Sequence, residues 1–111
     1  DISVLARLTS LRELGLDDNN ISDISALAGL SDLQELGLDA NNISDISVLA
    51  GLTSLQELGL DDNNISDISS LLANSGLSEG STVYLSGNPL STTSVNIYIP
   101  QLEGKGVDVE Y

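Results

Sequence analysis

Leucine and isoleucine return along the chain on a fixed beat. Leu11, Leu14, Leu16 and Ile21 are repeated as Leu33, Leu36, Leu38 and Ile43, and again as Leu55, Leu58, Leu60 and Ile65, each time 22 residues on. Self-similarity at that period marks a solenoid, whose units bury an apolar edge only by stacking on their neighbours. Two shorter periods alternate inside each unit. Leu14 and Leu16 flank Gly15 with a period of two, which predicts a strand of about three residues whose partner is the same strand one coil later. The sheet built this way is parallel. Ile24, Leu27 and Leu30 then fall at every third position, which suits a turn of 3₁₀-helix with its eclipsed i and i+3 side chains. Ser22 or Asp23 is placed to cap that turn, and a 22-residue unit leaves no room for a long helix on the convex side.

The pattern divides the chain into a truncated unit at 1–7, near-identical repeats at 8–29, 30–51 and 52–74, and an atypical closing unit at 75–111. Positions 8–29 match 30–51 at 17 of 22 places and 52–73 at 18 of 22. From Asn63 to the next equivalent asparagine, Asn88, the spacing stretches to 25. The extra residues predict a longer, α-helical turn over Ser69–Leu77 that stops at Asn74 to Gly76. Thr82–Leu85 reads as a fourth strand, Ser91–Gly104 as a helix kinked or ended near Pro100, and Val107–Tyr111 as a closing strand. Terminal units of solenoids are atypical because they shield the stack. Nothing comparable stands at the N-terminus, where Asp1–Ala6 aligns with Asp23–Ala28 and the chain reads as a fragment or a trimmed piece.

The phrase L-x-x-L-x-L-x-x-N-x-I is the leucine-rich-repeat signature. Its 22-residue form, with Asn20-Ile21-Ser22-Asp23-Ile24-Ser25 and Leu27 on the convex side, resembles the internalin-like class of bacterial leucine-rich repeats. Val83–Ser91, Tyr98-Ile99-Pro100 and Gly106-Val107 look like the terminal unit of secreted members. The resemblance implies an α/β solenoid, a curved right-handed coil with a parallel sheet on its concave face and 3₁₀ or short helices on its convex face. It also implies a protein-binding, adhesion-type module that is secreted or held at the bacterial surface. The helical N-terminal cap and the aromatic-rich concave face of that class have no counterpart here.

Composition narrows the chemistry. With no His and no Cys, imidazole and thiolate metal sites, disulfides and His-based acid–base catalysis are excluded. A net charge of −14 argues against nucleic acid and anionic membrane surfaces, and no segment is apolar for long enough to insert in a membrane. Any electrostatic partner is cationic. Arg7, Arg12 and Lys105 are scattered, and a carboxylate pair such as Glu35 and Glu57 would sit in near-identical surroundings that split no pKa values. No enzyme and no cofactor is expected.

Stacking turns equivalent positions into columns about 4.8 Å apart. Asn19, Asn41, Asn63 and Asn88 are expected to form a buried ladder whose amides satisfy turn backbone groups. The exposed strand face carries Glu13, Glu35 and Glu57, then Gly15, Gly37 and Gly59, then Asp17, Asp39 and Asp61, with Asp18 and Asp62 beside them and Ala40 between. This is a glycine-floored trench walled by carboxylates, fitted to a protein or cationic peptide. A weaker reading places Ca²⁺ at Asp17, Asp39 and Asp61, although the stretch Asp17–Ala28 fails as a calcium loop because Ser22 and Ala28 stand where Gly and Glu are needed. Tyr84 replaces glycine in the fourth strand, a candidate anchor residue or a residue shielding the sheet end. Asn20, Asn42 and Asn64 form Asn-Ile-Ser triplets, accidental products of the repeat. The other function in view is a structural or engineered scaffold that self-associates as an end-to-end homodimer through its bare N-terminal edge, near Leu5, Leu8 and Leu11.

Overall fold

The computed structural model describes residues 1–111. Five three-residue strands, β1 (Glu13–Gly15), β2 (Glu35–Gly37), β3 (Glu57–Gly59), β4 (Thr82–Tyr84) and β5 (Asp108–Glu110), form one parallel sheet in chain order. The register is that of the repeat: Glu13 pairs with Glu35, Leu14 with Leu36 and Gly15 with Gly37, and β2 meets β3 the same way. The insertion after Asn63 leaves this register intact, because Glu57 faces Thr82 and Gly59 faces Tyr84. Extra chain is absorbed on the convex side instead. The 3₁₀ turns Ser3–Arg7, Ser25–Leu27 and Ser47–Gly51 give way there to α1 (Ser69–Ala73).

The period-three residues do what their spacing requires. Ile24, Leu27 and Leu30 are buried, as are Leu33, Leu36 and Leu38 from the strand side, and the two sets meet in one core of 23 buried apolar residues. Each fully buried Leu or Ile contributes about 1.5–3 kcal/mol relative to exposure, so the interior of the stack carries most of the stability. Each turn is held by the aspartate before it, which settles the choice between Ser22 and Asp23: Asp23 Oδ1 accepts the Ser25 N–H at 2.9 Å, and Asp1, Asp45 and Asp67 do the same for Ser3, Ser47 and Ser69. Those hydrogen bonds from serine favour the ionised form and hold Asp23, Asp45 and Asp67 below the usual carboxylate range.

The closing helix changes type beside Pro100: a wide π-type turn over Ser94–Tyr98 ends there and runs directly into α2 (Ile99–Gly104), so the missing N–H of Pro100 falls at the junction of the two. Two buried polar residues join this closing segment to the stack. Ser94 Oγ donates to Ser66 O at 2.7 Å and accepts the Ile68 N–H. Asn74 is fully buried where α1 ends, its Nδ2 donating to Leu49 O and Leu52 O while its Oδ1 accepts the Gly76 N–H. Tyr111 lies just past β5 and is 60% exposed rather than part of the strand. No helix is long and apolar enough to cross a membrane.

Candidate functional site: the concave sheet face

Alternation along each strand sends the middle residue inward and its two neighbours out to the concave face. Leu36, Leu58 and Val83 are buried, whereas Glu35, Glu57, Gly37, Gly59 and Tyr84 line an open trough of about 520 Å³ together with Glu13, Gly15 and Asp39. No lysine or arginine lines it. Eight of the ten residues expected on this face are thus brought together.

Asp17 and Asp61 stand outside the lining, and all three aspartates of the column are engaged with the backbone. Asp17 Oδ1 accepts the Asp39 N–H, Asp39 Oδ1 accepts the Asp61 N–H, and Asp61 Oδ1 accepts the Ser86 N–H, at 2.8–2.9 Å in every case. Each aspartate reaches one coil forward and takes up a backbone donor beyond the end of the strand. The column is a side-chain extension of the sheet. A Cβ at Gly37 would stand 2.9 Å from Asp17 Oδ1, and one at Gly59 would stand 2.8 Å from Asp39 Oδ1, whereas the equivalent place beside Asp61 is taken by Tyr84. One oxygen of each aspartate is committed to the fold, and no three acidic side chains converge at metal-binding spacing. The weaker reading of Ca²⁺ at Asp17, Asp39 and Asp61 finds no such cluster to support it. Within the column, burial pushes the Asp39 carboxyl up. The Asp61 N–H opposes this, while the charges of Asp61, Asp17 and Asp62 add to it.

The residues after these aspartates have a backbone role. Asp18, Ala40 and Asp62 adopt φ of 59°, 56° and 55°, and Gly87 holds the same place in the fourth coil at 74°. This is the left-handed turn that swings the chain off the sheet, which suits Asp and Gly in this column and leaves Ala40 strained.

The asparagine ladder is real but unevenly buried. Asn41 donates from Nδ2 to Leu16 O in the coil before it and to Leu38 O in its own, and its Oδ1 accepts the Ile21 N–H. Asn63 repeats this one coil on. These two are 7% and 5% exposed. Asn88 makes the same bonds in a half-buried position, whereas Asn19 is exposed and bonds only within its own turn. The expectation of a wholly buried ladder fails at Asn19, which makes no bond to another coil, and in part at half-buried Asn88.

Tyr84 is half-buried at the C-terminal end of the trough, between Gly59 in β3 and Glu110 in β5. Burial raises its hydroxyl pKa, and the charges of Glu57, Glu110, Asp108 and Asp61 raise it further. Asp108 and Glu110 were absent from the expected site. The alternation Asp108-Val109-Glu110 was the available signal, since only the pairing of Thr82 with Asp108 and Tyr84 with Glu110 sets both acids beside the ring. Asn20, Asn42 and Asn64 are all exposed, with Asn42 Nδ2 donating to Asn20 Oδ1.

The family model described as "Leucine rich repeat" matches residues 9–65. The chain belongs to the leucine-rich-repeat family. Among solved structures, internalin C2 of Listeria monocytogenes is 39% identical with a TM-score of 0.82, the match covering 98% of this chain and 45% of that one. The internalin InlF of the same organism is 33% identical with a TM-score of 0.83, over 100% of this chain and 33% of its own. A leucine-rich-repeat protein of Leptospira interrogans shares the fold at 21% identity and a TM-score of 0.64, over 98% of this chain and 33% of that one. No curated protein sequence gave a significant match. This is an internalin-like leucine-rich-repeat protein, and it spans less than half the length of the internalin structures it matches.

Proposed function

We propose that the chain is a non-enzymatic protein-binding module that holds a cationic segment of a partner protein in its concave trough. The observation that carries this reading is the lining itself. Glutamates form the wall, glycines the floor and Tyr84 one end, with no basic side chain among them. The glycine column leaves room for a bound chain, the glutamates attract positive charge, and the tyrosine ring offers flat apolar area that also attracts cations. The likeness to internalins supports the binding role at a coarser level. The sheet face amounts to only a few hundred Å², against about 800 Å² per partner in a standard interface. Affinity is therefore modest and depends on the trough's rims.

The test is titration of a short arginine- and lysine-rich peptide against the chain at two salt concentrations, beside an acidic peptide of equal length. Binding restricted to the cationic peptide, weakened by salt and reduced about tenfold by Tyr84→Ala is expected. Absence of binding, or an affinity indifferent to Tyr84→Ala, contradicts the proposal.

A further inference from the structure

We propose that the trough takes a basic amphipathic helix of a partner protein, laid along the solenoid axis across the strands, with cations at i, i+3 and i+7 facing Glu13, Glu35 and Glu57. The inference rests on the reading of the trough as a cation-binding site and names the form of its occupant.

The spacing of the rungs carries it. Glu13, Glu35 and Glu57 are in register and exposed, so they repeat at the strand separation, at about 0, 4.8 and 9.6 Å along the stack. A helix brings residues i, i+3 and i+7 to one side at about 0, 4.5 and 10.5 Å, within about 1 Å of every rung. An extended segment brings alternate residues to one side at about 0, 6.6 and 13.2 Å, and is out of step by about 4 Å at the third rung. Polyproline II returns to one side only once in about 9.3 Å and passes over Glu35. Of these three regular forms, only the helix gives every glutamate its own cation.

Shape and charge agree with the spacing. Each strand is three residues long, so the face is about 10 Å across, close to the diameter of about 10–12 Å of a helix with its side chains. Gly15, Gly37 and Gly59 run down the floor in register, and without side chains there a rod can lie against the sheet. No lysine or arginine of this chain lines the trough, so its field is complementary to a cationic helix. The aspartates beside the floor compete little, because Asp17, Asp39 and Asp61 each commit an oxygen to a backbone donor. The fourth rung differs in both columns, Thr82 following the glutamates and Tyr84 the glycines. It lies about 14.4 Å along the stack, where residue i+10 of the same helix arrives at about 15 Å. An arginine at that position sets its guanidinium against the tyrosine ring.

The test uses alanine-based peptides of equal charge and about four helical turns. One carries arginine at i, i+3, i+7 and i+10 and is held helical by a hydrocarbon staple on its far side. A second keeps those arginines with prolines between them to break the helix, and a third has its arginines at every second position. Calorimetric titration should show the stapled helix binding about tenfold tighter than either of the others, and salt should weaken it. Glu35→Gln, checked by circular dichroism to retain its fold, should weaken binding of the stapled helix about threefold. The same variant should leave unchanged the binding of a stapled helix with alanine in place of its i+3 arginine. Equal affinity for the stapled and proline-broken peptides, or tightest binding by the alternating one, would overturn the helix while sustaining the cation-binding trough. A Glu35→Gln effect that persists without the i+3 arginine would overturn the register proposed. Binding by none of the three peptides would overturn both the helix and the trough.

Discussion

The first and second coils of this solenoid are close to the same sequence in different surroundings. Residues 11–21 and 33–43 differ only at Arg12/Gln34 and Asp18/Ala40, yet Leu36 and Leu38 are 1% and 0% exposed while Leu14 and Leu16 are only partly buried. Asn41 bonds to the coil before it, whereas Asn19 bonds only to its own turn. Chemistry and local conformation are shared. What differs is a neighbour on the N-terminal side. Burial here belongs to the stack, and a residue type acquires its energetic weight from the number of coils that touch it.

Paired substitutions break or sharpen that comparison. Leu36→Ala removes a side chain enclosed on all sides and should cost about 3–4 kcal/mol in chemical denaturation, cavity included. Leu14→Ala should cost about 1 kcal/mol, because part of the side chain is already in water. Equal losses would mean that the first coil is packed as tightly as the second. The asparagines should behave alike at smaller scale. Asn41→Ala orphans the Ile21 N–H, while Leu16 O and Leu38 O keep the side chains of Asn19 and Asn63 as donors, and should cost about 2 kcal/mol, against less than about 1 kcal/mol for Asn19→Ala, read as shifts in the urea midpoint. Smallest is the left-handed turn. Ala40→Gly should stabilise by about 0.5–1 kcal/mol, since alanine is strained at positive φ. The same change at Asp18 should do little, because aspartate tolerates that conformation; a destabilised Ala40→Gly would show that its side chain matters more than its backbone.

Much of this fold was legible because each coil reuses one phrase. The alternation around Gly15, the threefold spacing of Ile24, Leu27 and Leu30, and the stretched spacing before Asn88 named the strands, the turns and α1. What escaped reading depends on contacts between coils. The Asp17, Asp39 and Asp61 column looked like a wall of free carboxylates because its acceptors serve amides 22 or 25 residues away. Gly87, aligned with Asp18, Ala40 and Asp62, was the one sign of a left-handed position, and the alanine obscured it. Asn74 and Ser94 each occur once, outside the repeat, so no periodicity announced their burial. Tyr84 was found as the one aromatic on the strand face, but its companions Asp108 and Glu110 needed the register of β5.

Amide hydrogen exchange resolved by residue tests the dependence on stacking most directly. Leu38 and Ala40 N–H donate to Gly59 O and Asp61 O as Leu16 and Asp18 N–H donate to Gly37 O and Asp39 O, in bonds of nearly equal length. If neighbours on both sides confer stability, Leu38 and Ala40 should exchange through the larger opening of the stack and be protected at least tenfold more than Leu16 and Asp18, which open with the first coil. Equal protection of the two pairs would contradict the account.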